Sequence, residues 1–434
     1  MRINDGKVTL KSVRIQGYRS CRDTLLTPDP RLSALIGING AGKTNLLSAI
    51  RLLALSARAP TTDSSDVSVA ETVVTAWFRV DDVEIGYRVR MSMSISGKNT
   101  DEIVSSNEDW NLNALTGSRA WRSIPAYYLF DFRRGLRRSQ KMTQEMERYE
   151  RYERQLYAAK TNQKAIFRAL PYFDDDVFTN SRVHECIQRV FEFCNDINYY
   201  SASQFTDPSR CPSGFEIDTE GRLTSGNSYS TSRAHVKFLH ELYTLKKANP
   251  ELYDRYIQFI SKEELGLISR LTWKDVKLSS HVAEVKSGGR FKKVRNYKTL
   301  VIPKVQIGAS HLTFNQLSEG TFKTLAVIFY IMTDASRCLL IEEPEVCVHH
   351  GLLNRIVSTI KAYSTTKQVI FSTHSDLVLD QLDPENVFVI EMKRAGTTAT
   401  PMIGWVGGKG RVALDNYLAE SGTLGEYWRS GGLA

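Results

Sequence analysis

Three short apolar runs, at residues 32–36, 338–341 and 369–371, are continuous rather than alternating, the pattern of strands buried on both faces of a parallel sheet. Residues 71–80 and 84–93 instead alternate apolar and polar positions across Asp81, Asp82 and Val83, as an antiparallel pair with one covered face does. Residues 124–130 add a further strand and residues 386–391 another. Helical spacing governs 45–55, the strongly apolar 322–332, and 138–198, where Val183, Ile187, Val190, Phe191 and Cys194 share one face. Helix returns over 235–269, with Phe238, Leu239, Leu242, Tyr253, Ile257 and Ile260 periodic. Segments 94–117 and 201–232 are polar and rich in turn-forming residues, which predicts loops, and residues 286–298 read as a hairpin. No internal repeat is evident, and strands interspersed with helices make the chain α/β.

Each buried run delivers polar residues at its carboxyl end, the edge where parallel α/β sheets bind ligands. The first leads into Gly37, Ile38, Asn39, Gly40, Ala41, Gly42, Lys43 and Thr44, a GxxxxGK[ST] stretch with a strand before it and a helix after it. Glycines there let backbone N–H groups turn inward around a polyphosphate, and the following helix aims its positive end at the same anion. Lys43 is placed for the β- and γ-phosphates and Thr44 for Mg²⁺, so the ligand is ATP with Mg²⁺, held also by Gly37, Asn39, Gly40 and Gly42. A glycine-rich turn without a ligand is the bland alternative, and the flanking strand and helix argue against it.

The run at 338–341 ends in Glu342 and Glu343, the first a metal-binding carboxylate and the second the group that polarises an attacking water. Acids after an apolar run are common by themselves, but a phosphate loop in the same chain gives these two a task. Ser318 and Gly320, within Leu317, Ser318, Glu319, Gly320 and Thr321, open the apolar helix at 322–332 and form a second helix N-terminus suited to anions. The third run leads through Ser372 and Thr373 to His374, placed to touch a γ-phosphate or its attacking water. A helix cap and a strand-end histidine are the ordinary readings of these last two; their order and company favour function.

In that order the four stretches resemble the Walker A, signature, Walker B and switch-histidine elements of ATP-binding cassette (ABC) ATPase heads, over roughly residues 8–55 and 310–395. The resemblance implies a homodimer in which Ser318 and Gly320 of one subunit close on the ATP held by the Walker A loop of the other, sandwiching two nucleotides. Two positions depart from the family: Glu342 stands where Asp is usual, and His349 where the dimer-crossing loop usually ends in Asp. Loop and signature lie much farther apart than in a transporter head. The one coiled-coil candidate, residues 139–169, is too short for an SMC arm. An ABC-type P-loop ATPase head split by a large, mostly helical insertion is therefore expected. Its divisions are residues 1–135 for the N-terminal half of the head, 136–270 for the insertion, and 271–434 for the C-terminal half with a short tail.

Composition narrows the class. With 434 residues, 42% of them hydrophobic and 24% charged, the chain can bury one large or two moderate cores. Its longest apolar stretch, 325–332, is far below the about 20 residues that span a bilayer, and the N-terminus lacks a signal-peptide core, so a cytoplasmic protein without a membrane partner is expected. Six cysteines at 21, 186, 194, 211, 338 and 347 form no CxxC pair, which points to reduced thiols and no zinc site. Net charge is +9, concentrated at Arg133, Arg134, Arg137, Arg138 and Lys141 and along 286–298, where Phe291 and Tyr297 interleave with lysine and arginine. Such a surface suits DNA or an acidic protein, and equally a strand edge kept soluble by lysines. Asp174, Asp175 and Asp176 could bind a metal, although a solvated turn after Pro171 is the simpler reading.

Only 60 residues follow His374, too few for a Toprim nuclease domain. The Glu342, Glu343, Pro344, Glu345 stretch and the compact insertion resemble the OLD-like ATPases, many of which carry Toprim at this end. The rest of the chain resembles stand-alone ATPase subunits of two-gene phage-defence systems of the PARIS or Septu type. That resemblance implies a sensor and scaffold, a homodimer or higher homo-oligomer that holds a separate nuclease effector, Toprim among the candidates, and releases it when a phage-encoded trigger arrives. Two other classes stay open: a RecF-like DNA-repair ATPase binding DNA through the basic hairpin, and a self-contained nuclease using residues of the insertion.

Overall fold

A computed structural model of the chain describes residues 8–58, 71–95, 102–117, 119–125, 181–224, 233–286, 290–346, 348, 350–420 and 422–430. The chain forms two compact units, one comprising Met1–Tyr199, Ala335–Glu342 and Lys361–Ala434, the other Tyr200–Asp334 and Glu343–Ile360.

In the first unit the three apolar runs are neighbours. Strands β3 (Leu32–Ile36), β13 (Cys338–Glu342), β14 (Gln368–Thr373) and β15 (Val387–Lys393) run parallel, flanked by β16 (Gly396–Pro401) and β8 (Ile197–Ser201) in the order β16-β15-β3-β14-β13-β8. Continuous burial of β3 and β14 fits strands covered on both faces. In this register Ile36 lies beside Thr373 and Ser372 beside Glu342, so the chain leaves all three strands at one edge.

A second, antiparallel sheet in the same unit has the order β2-β1-β4-β5-β6-β7, from β1 (Val8–Tyr18), β2 (Cys21–Leu26), β4 (Thr72–Val80), β5 (Val83–Ile95), β6 (Glu102–Asn111) and β7 (Arg122–Pro125). Helix α1 (Lys43–Arg58) joins the two sheets in one core: Leu46, Ile50 and Leu53 cluster with Leu35 and Ile370 of the parallel sheet and with Ile15, Val74 and Tyr87 of the antiparallel one. The expected loop at 94–117 is a correction, since it holds β6 and the short helix α2 (Asn113–Thr116). Its polar residues are paired within the fold. Ser56 donates to Glu108 at 2.8 Å, Arg90 to Asp109 at 2.6 Å, and Trp110 fills the core. Helix α3 (Ser181–Asn195) buries the face read from its spacing, and Arg189 pairs at 2.7 Å with Asp81, at the β4–β5 turn.

The second unit contains β9 (Phe215–Ile217), β10 (Arg270–Lys286), β11 (Arg290–Ile307) and β12 (Ser310–Leu312) with helices α4 (Arg233–Ala248), α5 (Pro250–Ile260) and α6 (Glu319–Thr333). The expected helix at 235–269 breaks at Asn249, whose side chain accepts from the Leu252 amide while Pro250 starts α5. The basic hairpin is far longer than the sequence suggests, paired continuously from Arg270 with Gln306 to Lys286 with Arg290. Helix α6 is buried from Phe322 to Met332, against Phe205 and Phe238 among others. Helix α7 (His350–Tyr363) follows the acidic stretch, and α8 (Asp376–Leu379), α9 (Met402–Ala419) and α10 (Leu424–Arg429) complete the described chain. Gly425 donates its amide to Asp380 at 2.8 Å and packs within the first unit. No helix among the described residues is long and apolar enough to cross a membrane, and the five described cysteines are buried and unbridged. The 139–169 helix, the arginine cluster at 133–138, Asp174 to Asp176, Cys347 and His349 lie outside the described residues.

Candidate nucleotide site

The loop after β3 is shaped by glycines that have no room for a side chain. A Cβ at Gly37 would lie 2.3 Å from the Ile390 carbonyl oxygen, and one at Gly42, where φ is +105°, would lie 2.2 Å from the Thr397 hydroxyl. Gly40, at φ +81°, stands with Ile38 and Asn39 on the exposed crest. Residues of the β15–β16 hairpin therefore form a wall behind the loop. Thr397 donates to the Ala41 carbonyl at 3.0 Å, its hydroxyl lies 2.8 Å from that of Ser20, and Asn45 donates to Ser20 at 2.7 Å.

Lys43 is buried, and its ammonium donates to the carbonyls of Gly37 at 2.8 Å and Ile38 at 3.3 Å, so a cation is held inside the loop's curve. Thr44, on the first turn of α1, donates its hydroxyl to Oε1 of Glu342. This contact joins the two motifs across 298 residues of sequence. Tyr199 of β8 donates to the other oxygen, Oε2, at 2.5 Å. Burial and this hydrogen bond hold the Tyr199 proton well above the usual phenol range. A hydroxyl and a carboxylate in contact are the hard oxygen donors that Mg²⁺ takes, so the residues present fit that ion.

His374 leaves the carboxyl end of β14 at the same sheet edge and is exposed, while the next amide, of Ser375, donates to Thr373 at 3.1 Å. Glu343, the first residue of the second unit's later segment, has a left-handed backbone, φ +44°, a conformation that costs a residue with a side chain about 1–3 kcal/mol. Ser318 and Gly320 lie in the second unit. Ser318 caps α6 by accepting from the Thr321 amide at 3.2 Å, and the Gly320 carbonyl accepts from Thr324 at 2.7 Å. The first unit thus brings together Gly37, Asn39, Gly40, Gly42, Lys43, Thr44, Glu342 and His374. Sequence reading missed Tyr199, Ser20, Asn45 and Thr397, whose only signal is a contact made by the folded sheets. Among the described residues no group of three His, Cys, Asp or Glu side chains could hold a further metal ion.

A family model described as "AAA domain" matches residues 12–265, and a second, described as "AAA domain, putative AbiEii toxin, Type IV TA system", matches residues 195–380. The chain belongs to the AAA-domain ATPase family. This AAA-domain protein carries an α/β fold with the phosphate loop, the acidic strand end and the histidine on adjacent parallel strands. Solved structures similar to it include an SMC head bound to the C-winged helix domain of ScpA, at 12% identity over 90% of this chain and 97% of that chain, with a TM-score of 0.43. An SMC head with an extended coiled coil, bound to the C-terminal domain of ScpA derived from Pyrococcus furiosus, gives 13% identity, 91% and 96% coverage, and 0.41. The SMC head domain from Thermotoga maritima gives 12%, 91% and 98%, and 0.39. No curated protein matches the chain.

Proposed function

We propose that this AAA-domain ATPase binds ATP with Mg²⁺ on Gly37 to Thr44, hydrolyses it, and uses the cycle to control a separate nuclease in phage defence. The hydrogen bond from Thr44 to Glu342 carries the reading, because it brings a phosphate-loop hydroxyl onto an acidic strand end remote in sequence. Backbone N–H groups of the loop bind the phosphates, and Lys43 moves from the Gly37 and Ile38 carbonyls to the β- and γ-phosphates. Thr44 and Glu342 hold Mg²⁺, which when bound neutralises phosphate charge. Glu343 orients the attacking water and His374 meets the γ-phosphate from the β14 end. In a homodimer, Ser318 and Gly320 at the start of α6 supply the anion-binding helix end that closes the site. The defence role is supported by the sequence resemblance to stand-alone defence ATPases and by the family description at residues 195–380, which names a Type IV TA system.

The test is phage plating on cells expressing the chain with its neighbouring reading frames, together with the mass and composition of the complex purified in Mg²⁺ and ATP. The expected result is a homo-oligomer carrying a second protein, and protection from phage that Lys43→Ala abolishes. Protection that survives Lys43→Ala would exclude a role for nucleotide. A second reading, a RecF-like DNA-binding ATPase, is favoured by the paired β10–β11 ribbon, whose distal sequence is rich in Lys and Arg. It expects ATP hydrolysis stimulated by DNA, with a steep loss as salt rises.

A further inference from the structure

Glu342 has one more rotatable bond than the Asp usual at its position, so something must fix its longer arm if it is to present an oxygen reproducibly. Thr44, Ser48 and Arg51 follow one another at spacings of four and three on one face of α1. Tyr199 lies along that face. Thr44 shares the Glu342 carboxylate with it, and the Arg51 guanidinium sits 5.5 Å from its ring centre. The phenol is partly buried, and its hydroxyl donates to Oε2 of Glu342.

We propose that Tyr199 is the positioning residue for the metal carboxylate. It fixes Oε2 of Glu342 and so orients Oε1 toward Thr44 and the cation. A threonine hydroxyl can donate its proton to Oε1 and present a lone pair to a cation at once, so the Thr44 contact persists when metal arrives. The ring and the Arg51 contact hold the phenol in place, and its hydroxyl locks the carboxylate rotamer, the way outer hydrogen bonds orient metal ligands. This assignment rests on the ATP and Mg²⁺ reading of the site.

Tyr199→Phe keeps the ring and removes only the donor. The readout is binding of a fluorescent ATP analogue to the full chain, titrated with Mg²⁺ and repeated in EDTA, with thermal melting as the check on folding. The expected result is an Mg²⁺ midpoint raised about 10-fold or more, as for lost outer hydrogen bonds to metal ligands, with analogue affinity in EDTA unchanged. In a Glu342→Asp background, where the shorter arm cannot serve Thr44 and Tyr199 together, the same substitution should raise the midpoint far less. An unchanged midpoint in Tyr199→Phe, where Glu342→Ala does raise it, would overturn the assignment. So would equal weakening in EDTA and in Mg²⁺, the mark of a packing role. Absence of Mg²⁺-dependent binding by the wild-type chain would instead overturn the nucleotide-site reading beneath it.

Discussion

Lys43, Thr44, Glu342 and His374 reach one sheet edge because each follows a strand whose apolar run is visible in sequence, and parallel pairing brings the strand ends together. Tyr199 was not legible, since its hydroxyl meets Glu342 across 143 residues through strand order rather than any local pattern. The left-handed backbone at Glu343 was equally hidden, because Glu is an unusual choice there. It makes an asymmetric prediction: Glu343→Gly should gain stability by about 1 kcal/mol through relief of strain while ATP turnover falls by orders of magnitude. Thermal melts and steady-state hydrolysis of that one variant measure both. His235 supplies a pH prediction. Burial beside Phe322 and Phe205 lowers its pKa below the ordinary value of 6.5, so the unfolded chain binds the proton first as pH falls. Stability is then full above that value and declines as pH drops toward the depressed folded pKa. His235→Phe should flatten the acid side of a plot of melting temperature against pH.

Elements were legible where one periodicity dominated. Helix α1 was read as 45–55 and runs Lys43–Arg58, since the loop's last glycine directly precedes its first residue. Strand β6 was lost because its apolar Trp110 sits among acids and amides whose partners, Ser56 and Arg90, belong to other elements. The β10–β11 ribbon was underestimated because its proximal pairs, such as Val276 with Leu300 and Trp273 with Pro303, do not alternate cleanly. The ribbon predicts separable roles. Changing Lys292, Lys293 and Arg295 together to Glu should leave ATP-analogue affinity within about 2-fold. If the ribbon contacts nucleic acid, the slope of log affinity against log salt should fall by about 3 in magnitude. Fluorescence anisotropy with labelled duplex at several salt concentrations reads both effects, and an unchanged slope removes DNA from its partners.

At the scale of the molecule, the α/β class followed from motif order, whereas the division of the chain into its two units depends on long-range pairing that no local window contains. The proposed sandwich makes an assembly prediction. Glu343→Gln with ATP should accumulate dimers or larger species in light scattering, and adding Ser318→Arg should return the mass to that of the monomer while single-subunit nucleotide affinity stays within about 3-fold, because the substituted residue lies on the helix end of the second unit. Dimers that persist in the double variant would remove α6 from the interface. The wall behind Gly37 and Gly42 has a further consequence, in biosynthesis. Strand β3 has β14 and β15 as its two neighbours, and the loop rests on Ile390 and Thr397. A ribosome that has made the whole Gly37 to Thr44 sequence has therefore made neither β14 nor the β15–β16 hairpin on which the loop rests. On the proposed reading, nucleotide binding arrives only when residues near 400 have emerged, so translation products interrupted before them stay inert.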